Sequence, residues 1–506
     1  MHIFEVVLIF LLGAVCLSLL AHRLNVPYPT LLALGGMAIA LIPGAPTLDL
    51  PPDLILALFV APVLLDAAHG TSLRDLRRSW RPILSLVVVA VGLTTLTVAL
   101  VAKSLLPDMP LAAAIALGAL LAPPDAVAAL AVLRHVSPPK KLSIILEGES
   151  LLNDASSLLI YKLAVASVVT GSFSPVGALP SFLLLSVGSI AVGWALARLM
   201  VIVIGTIQDA PAATIIQFLC AFGVWIIAER FGLSGVVTIV AFGLTAARRQ
   251  TLSSRSHIRV FSNSTWKAAT FVLNVLAFLL IGLQLRPIFL ALPAFEKWHL
   301  AGIALVLLTV VILVRLAWVL IYGLARSQVD PERGKKEDLR KGRLLVGWSG
   351  MRGIVTLAAA LALPTEFPYR EFILLTSFVV VLGTLVVQGL TLGPLLRWLK
   401  LPEDRSASDE LATARSAALE AALKEVEQDE SAAAARLRLE CQEALAKAHK
   451  GLDPHDSSDN ALRQRVVPVS RRALDQLRDT GVIGDEAYRI VEQELDLLEL
   501  SSRPAK

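Results

Sequence analysis

Four polar residues crowd a stretch that is otherwise apolar enough to cross a membrane. Residues 147–162 read EGESLLNDASSLLIYK, and apolar flanks place Glu149, Ser150, Asn153 and Asp154 near bilayer depth. Ionised carboxylates are expensive there, so acids that persist inside a membrane segment are functional by default. At about 100° per residue, Ser150 and Asp154 share one helix face and Glu149 and Asn153 another. Glu149 and Asp154 diverge, which predicts different partners. Carboxylate, hydroxyl, amide and carbonyl oxygens together form the ligand set of a hard cation. The preceding apolar segment supplies the carbonyls. It reads LLAPPDAVAAL, with Pro123, Pro124 and Asp125 in its middle. Each proline lacks an amide donor and clashes with the carbonyl four residues back, freeing the oxygens of Ala119 and Leu120. Freed backbone at membrane depth is tolerated only where protein or a watery cavity satisfies it.

The elements that must position these groups are membrane helices. The chain has 506 residues, 56% of them hydrophobic, and a mean hydropathy of +0.70. About twenty apolar residues span a bilayer core. Thirteen apolar segments are expected, at 3–21, 28–43, 53–69, 82–105, 110–132, 142–169, 180–205, 212–230, 234–247, 268–285, 300–325, 343–363 and 371–397. The first carries Glu5 in place of a basic leader and no small-residue cleavage site before His22, so it reads as a transmembrane helix and not a signal peptide. Basic residues gather in alternate loops: Arg74 to Arg81, Arg134 to Lys141, Arg248 to Arg259, and Arg326 to Arg343. The positive-inside rule makes that set cytoplasmic, which puts the N-terminus outside and the C-terminus inside.

Residues 1–402 hold 31 Lys and Arg against 19 Asp and Glu, whereas residues 403–506 hold 15 against 22. The basic excess belongs to loops facing anionic lipid, so no nucleic-acid partner is expected. The acidic end has amphipathic helical spacing and no span-length apolar run, which predicts a soluble helical tail. Cys16, Cys220 and Cys441 have no metal or redox spacing, and no disulfide or cofactor is expected. The fold class is therefore an all-α polytopic membrane protein of about 13 transmembrane helices over 1–402, followed by a cytoplasmic helical tail over 403–506.

A second interruption is expected in the twelfth segment, GRLLVGWSGMRGIVTLAAALALP, where Gly347, Gly350 and Gly353 loosen the helix beside Arg352. Interruptions at corresponding places in two halves are what inverted repeats produce. Segments 1–6 and 8–13 would be those halves, with the fifth of each broken. Arg315 lies inside the eleventh segment and cannot shed its charge, so it needs a buried anion, Glu149 or Asp154. Asp66 reads equally as an entrance acid or a solvated helix end, and Lys162 as a side chain reaching outward.

Three stretches in order, APPDAVAA (122–129), ILEGESLLNDASSLLIYKLAV (145–165) and GWSGMRGIVTLAAALALP (347–364), resemble the monovalent cation/proton antiporter-1 family over roughly residues 5–400. The resemblance implies a homodimeric exchanger of Na⁺, or K⁺ or Li⁺, for H⁺ in the cell's inner membrane. It implies dimer-interface helices about 3–69 and 212–285, and a mobile core about 82–169 and 300–397 with two crossed, unwound helices. By motif, Asp154 resembles the ion- and proton-binding carboxylate and Asn153 its partner. Ser150 and Asp125 match residues that line or organise the site, Pro124 joins the ion- and proton-binding set, and Asp154 and Ser150 are the transient cation ligands. Glu149 and Arg315 resemble a structural ion pair, and Arg352 the arginine of the second broken helix. Pro124 stands where many relatives have Thr, and so offers a carbonyl without a hydroxyl. The single Asn-Asp pair implies electroneutral 1:1 exchange serving pH and sodium homeostasis, and a K⁺/H⁺ exchanger of the same build is the alternative. An intramembrane aspartyl protease would use Asp125 and Asp154 as a dyad, but its G-x-G-D sequence does not occur here, and no enzyme activity is expected.

Overall fold

The computed structural model describes residues 2–24, 26–43, 51–133, 139–170, 175–253, 256–292, 296–329, 336–400, 406–450, 452–453, 458–480, 482 and 485–502. Of the basic loop residues, Arg134, Arg255 and those in 330–335 lie outside these. The described residues contain helices and no strand. They divide into two compact units, Met1–Pro402 and Glu403–Lys506.

In the first unit the helices are α1 (His2–Leu24), α2 (Tyr28–Ala40), α3 (Leu56–Gly70), α4 (Trp80–Leu105), α5 (Leu111–Leu121), α6 (Ala126–Leu133), α7 (Lys140–Thr170) and α8 (Pro175–Thr206). They continue with α9 (Ala210–Arg230), α10 (Gly235–Ser253), α11 (Ser256–Leu283), α12 (Lys297–Val329), α13 (Lys336–Trp348), α14 (Ile354–Leu361) and α15 (Arg370–Leu399). Seven helical spans among the described residues are long and apolar enough to cross a membrane, the longest running from Ile258 in α11 through the short helix Leu285–Ala291. Their outer faces stay apolar: Leu184, Ile202, Leu219 and Val260 are each more than half exposed. Greasy surface on that scale needs an apolar surround.

α11 begins at Ser256, about a dozen residues before the expected 268. The extension carries Arg259, Ser262, Asn263 and Lys267, which depress hydropathy without breaking the helical period, and Ser262 shares a 2.7 Å hydrogen bond with Thr214. α2 and α11 meet at Gly36 and Gly282. A Cβ on Gly36 would run into the Leu279 carbonyl, so only glycine lets these backbones touch. α3 and α4 each contain a π-helical turn, Leu56–Val60 and Ser85–Ala90. Such turns leave carbonyls without regular partners, and Ser156 Oγ donates to the Val87 carbonyl at 2.9 Å.

Two apolar cores hold the unit together. One joins α5, α7, α12, α14 and α15 with α2 and α11 around Leu117, Phe278, Leu307 and Phe378. The other joins α3, α8, α9 and α10 around Trp225 and Phe242. The second unit comprises α16 (Ser406–Glu425), α17 (Ala432–His449), α18 (Ser458–Asp479) and α19 (Asp485–Ser502). Its helices pair as two hairpins, α16 with α17 and α18 with α19.

Candidate ion-exchange site

Two helices break where the prolines and glycines stand. The fifth segment is split into α5 and α6 by the non-helical stretch Ala122–Asp125, and the twelfth into α13 and α14 by Ser349–Gly353. The breaks touch: the Asp125 amide donates to the Met351 carbonyl at 2.6 Å. A Cβ on Gly353 would overlap the Asp125 carboxylate, so glycine is what allows this approach. Asp125 Oδ1 accepts from the Val127 amide at 2.9 Å and thereby caps α6.

The carbonyls exposed by the breaks are met by named donors. Ser157 Oγ donates to Ala119 O at 2.8 Å, one of the two oxygens freed by the prolines. Arg352 Nε donates to Leu121 O at 3.0 Å and Nη2 to Ala122 O at 3.4 Å, while Nη1 donates to Gly350 O. Its guanidinium thus lies against the C-terminal end of α5, where the helix dipole favours a cation. The Arg352 amide donates to Thr384 Oγ1 at 3.0 Å, which ties the second break to α15.

Arg315 does the same for the other half-helix. Its Nη2 donates to Val346 O near the end of α13 at 3.2 Å. The same guanidinium grips Glu149 in a two-pronged pair, Nη1 to Oε1 and Nη2 to Oε2, the latter at 2.8 Å. Both side chains are almost wholly buried, at 3% and 1% exposure. Of the two anions open to Arg315, the structure places Glu149 on it and Asp154 elsewhere.

On α7 the polar residues divide by face as their spacing requires. Asn153 Nδ2 donates to Pro124 O at 2.9 Å, binding α7 to the first break. Its Oδ1 is buried and accepts no hydrogen bond from the protein. Ser150 and Asp154 turn the other way and line a cleft of about 80 Å³ together with Asp125. The cleft thus gathers Asp154, Ser150 and Asp125, with Asn153 and Pro124 directly behind them. Glu149, Arg315 and Arg352 stand outside its wall.

Two residues of the cleft went unnoticed in the sequence. Glu147 lines it, three residues before Ser150 and seven before Asp154 on the same helical face. Asn274 lines it from α11, an isolated amide in the apolar run FVLNVLAFLL. The signal for both was present: helical spacing for the first, an amide at membrane depth for the second. Asp66 is half-buried on α3 and is not among the lining residues. Lys162 reaches outward to Glu229, Nζ to Oε2 at 3.7 Å. The remaining walls are apolar and include Phe59, Val60 and Phe278.

Known proteins share this build. The chain is 31% identical over 99% of its length to the sodium, potassium, lithium and rubidium/H⁺ antiporter of Bacillus subtilis, covering 78% of that protein. It is 32% identical over 68% of its length to the Na⁺/H⁺ antiporter NhaH of Halobacillus dabanensis, covering 82% of it. Its fold matches that of the sodium proton antiporter MjNhaP1 from Methanocaldococcus jannaschii with a TM-score of 0.60 at 18% identity, covering 79% of this chain and 99% of that one. The profile of the family described as sodium/hydrogen exchanger, transmembrane, matches residues 7–398. The chain belongs to that family.

Proposed function

We infer that this protein is a multi-pass membrane antiporter that exchanges a monovalent cation, Na⁺ foremost, for H⁺. The carrying observation is the cleft, in which Asp154 and Ser150 of α7 face Asp125 of the first break while Asn153 holds the Pro124 carbonyl. Carboxylate, hydroxyl and carbonyl oxygens converge there, and the unpartnered Asn153 Oδ1 adds an amide oxygen. A proton and a cation compete for the Asp154 carboxylate. Rocking of the helices bearing the two breaks against the remainder exposes it to either side in turn. Glu149 and Arg315 hold the broken core together, and Arg352 replaces the donors that the first break lost.

The finer reading has thirteen crossings in two inverted repeats, with an external N-terminus and a cytoplasmic C-terminus. Two copies form the working unit, about 3–69 and 212–285 forming its interface and about 82–169 and 300–397 moving. Residues 403–506 form its cytoplasmic tail. Loop charge alternation and the matching positions of the two breaks support it.

The test is dissipation of a preset pH gradient in inverted membrane vesicles on adding Na⁺, Li⁺ or K⁺ separately. Na⁺ and Li⁺ should each collapse the gradient. Asp154→Asn should insert normally and abolish the response, and a surviving response would move the site to Asp125. A K⁺/H⁺ exchanger is the second reading, favoured by the potassium in the name of the Bacillus subtilis relative and by Pro124, which supplies no side-chain oxygen to tighten the site. A response to K⁺ alone would select it.

A further inference from the structure

The cleft that holds Asp154 draws its polar groups almost entirely from one source. Asp125, Glu147, Ser150 and Asp154 come from the first break and α7. α3 contributes apolar side chains alone, and α11 contributes Ala277, Phe278 and Asn274. Outside α7 and the first break, Asn274 is the one polar side chain among the described lining residues. Its helix is anchored elsewhere. α11 packs chiefly on α2 and α9, and a Cβ on Gly282 would strike the Ala33 carbonyl of α2, so those two backbones touch. Asp154 and Asp125 are instead joined to each other, through the Asn153 hydrogen bond to Pro124 O.

The side-chain amide of Asn274 is half-buried in the apolar run FVLNVLAFLL and makes no hydrogen bond to any described residue. A buried amide is costly unless something satisfies it, and a leucine at the same place would carry no such cost. The cleft is where its partner must be found. Three carboxylates line that cleft, Asp125, Glu147 and Asp154, and no Lys, Arg or His side chain does. Such a field gathers cations. An amide beside a cation presents its oxygen, a hard ligand of the same class as the carboxylate and hydroxyl already there.

We propose that Asn274 is a cation-recognition residue that works from one face of the membrane only. With the cleft open, its amide oxygen binds the monovalent cation on Asp154, directly or through one water. The contact breaks when the helices of the two breaks carry Asp154 away from α11. The inference rests on the exchanger reading and adds to it a residue from the helices that stay behind. Its action differs in kind from that of Glu147. A carboxylate attracts cations at a distance and is screened by salt, whereas an uncharged amide acts by contact.

The test compares the full-length parent chain with Asn274→Leu and Asn274→Asp, in inverted and in right-side-out vesicles. Leucine is close in size and lacks the oxygen, whereas aspartate keeps an oxygen on the same carbon. Asn274→Leu should raise the half-saturating Na⁺ concentration about threefold to tenfold at one membrane face, the order of one hydrogen bond. The other face should be unchanged, and the maximal rate should not fall. Choline chloride should leave the increase in place, because no charge was removed. Asn274→Asp should hold the parent value or lower it. In detergent Asn274→Leu should melt no lower than the parent, since an unpaired amide has gone. An equal rise at both faces would overturn the one-sided contact, and a lower melting temperature with a lower maximal rate would make Asn274 a packing residue. If the parent itself shows no Na⁺-driven proton movement at either face, the exchanger reading fails and the contact falls with it. A parent that exchanges, beside an Asn274→Leu chain that matches it at both faces, would overturn the contact alone.

Discussion

Ser157 Oγ lies 2.8 Å from the carbonyl oxygen of Ala119, the oxygen that Pro123 deprives of its helical donor. The hydroxyl is fully buried and comes from α7, so a helix that carries site residues also repairs the helix it crosses. Leaving a buried carbonyl unpaired costs about 1–3 kcal/mol. Ser157→Ala should therefore lower thermal stability in detergent by an amount in that range, and Ser157→Thr should restore part of it. Equal melting of Ser157→Ala and the parent chain would show that the carbonyl finds another donor.

Glu149 and Arg315 form the deepest ion pair among the described residues, and its value is conditional on both partners. Removing one leaves an uncompensated buried charge, typically at a cost of about 3–5 kcal/mol. Glu149→Ala and Arg315→Ala should each destabilise the protein by that order, and Glu149→Gln with Arg315→Met together should recover part of the loss. A thermodynamic cycle with zero coupling energy would deny the contact.

Much of this site was legible because polar residues inside an apolar helix are rare enough to stand out singly. Asp154, Asn153 and Asp125 declared themselves that way, and Pro123 with Gly350 marked the breaks. What could not be read was mutual position. The sequence left Arg315 between Glu149 and Asp154, and only the crossing of α7 with α12 decides between them. Ser157 looked like one small polar residue among several, since its value depends on lying against Ala119. Glu147 stands nearest the basic loop, where an acid is ordinary. The first turns of α11 were lost to a different cause: hydropathy registers lipid contact, and a helix continues past the membrane wherever its period does.

Gly353 tests the contact between the breaks. An added Cβ would overlap the Asp125 carboxylate, whose Oδ1 caps α6. Gly353→Ala should thus disturb both half-helices, reducing exchange more than tenfold, a barrier of about 1.4 kcal/mol or more. Gly302→Ala, where a Cβ meets open space, is the control and should leave exchange unchanged. Full activity in Gly353→Ala would mean that the breaks need not touch during transport.

Glu147 should act at a distance on the cation. It shares the cleft with Asp154 two helical turns away, too far to ligate the same ion but near enough to raise the local cation concentration. Glu147→Gln should raise the half-saturating Na⁺ concentration by up to the order of tenfold with little change in maximal rate. The gap between variant and parent should narrow as choline chloride screens the field. A loss of maximal rate that ignores ionic strength would assign Glu147 a structural task instead.

The charge moved per cycle follows from which carboxylates are free to change state. Glu149 is held by both nitrogens of the Arg315 fork, and Asn153 is a neutral amide bound to Pro124 O, so neither can carry a proton through the cycle. Asp125 is engaged as the cap of α6, its Oδ1 accepting from the Val127 amide. On the proposed mechanism, Asp154 is the carboxylate that alternates between one H⁺ and one monovalent cation. Each half-cycle then carries one positive charge on one carboxylate, and the full cycle carries none. Exchange should follow the two ion gradients and ignore voltage, which acts on an unbalanced charge with about 2.3 kcal/mol per 100 mV. The measurement is Na⁺-driven proton movement in proteoliposomes with K⁺ and valinomycin setting the potential, once K⁺ itself is shown not to be transported. Rates and gradient end points should coincide at 0 and −100 mV, the potentials that bracket about 2.3 kcal/mol per charge. A shifted end point would require a second titrating group in the cycle, and Asp125 or Glu147, which share the cleft with Asp154, would be the first to substitute.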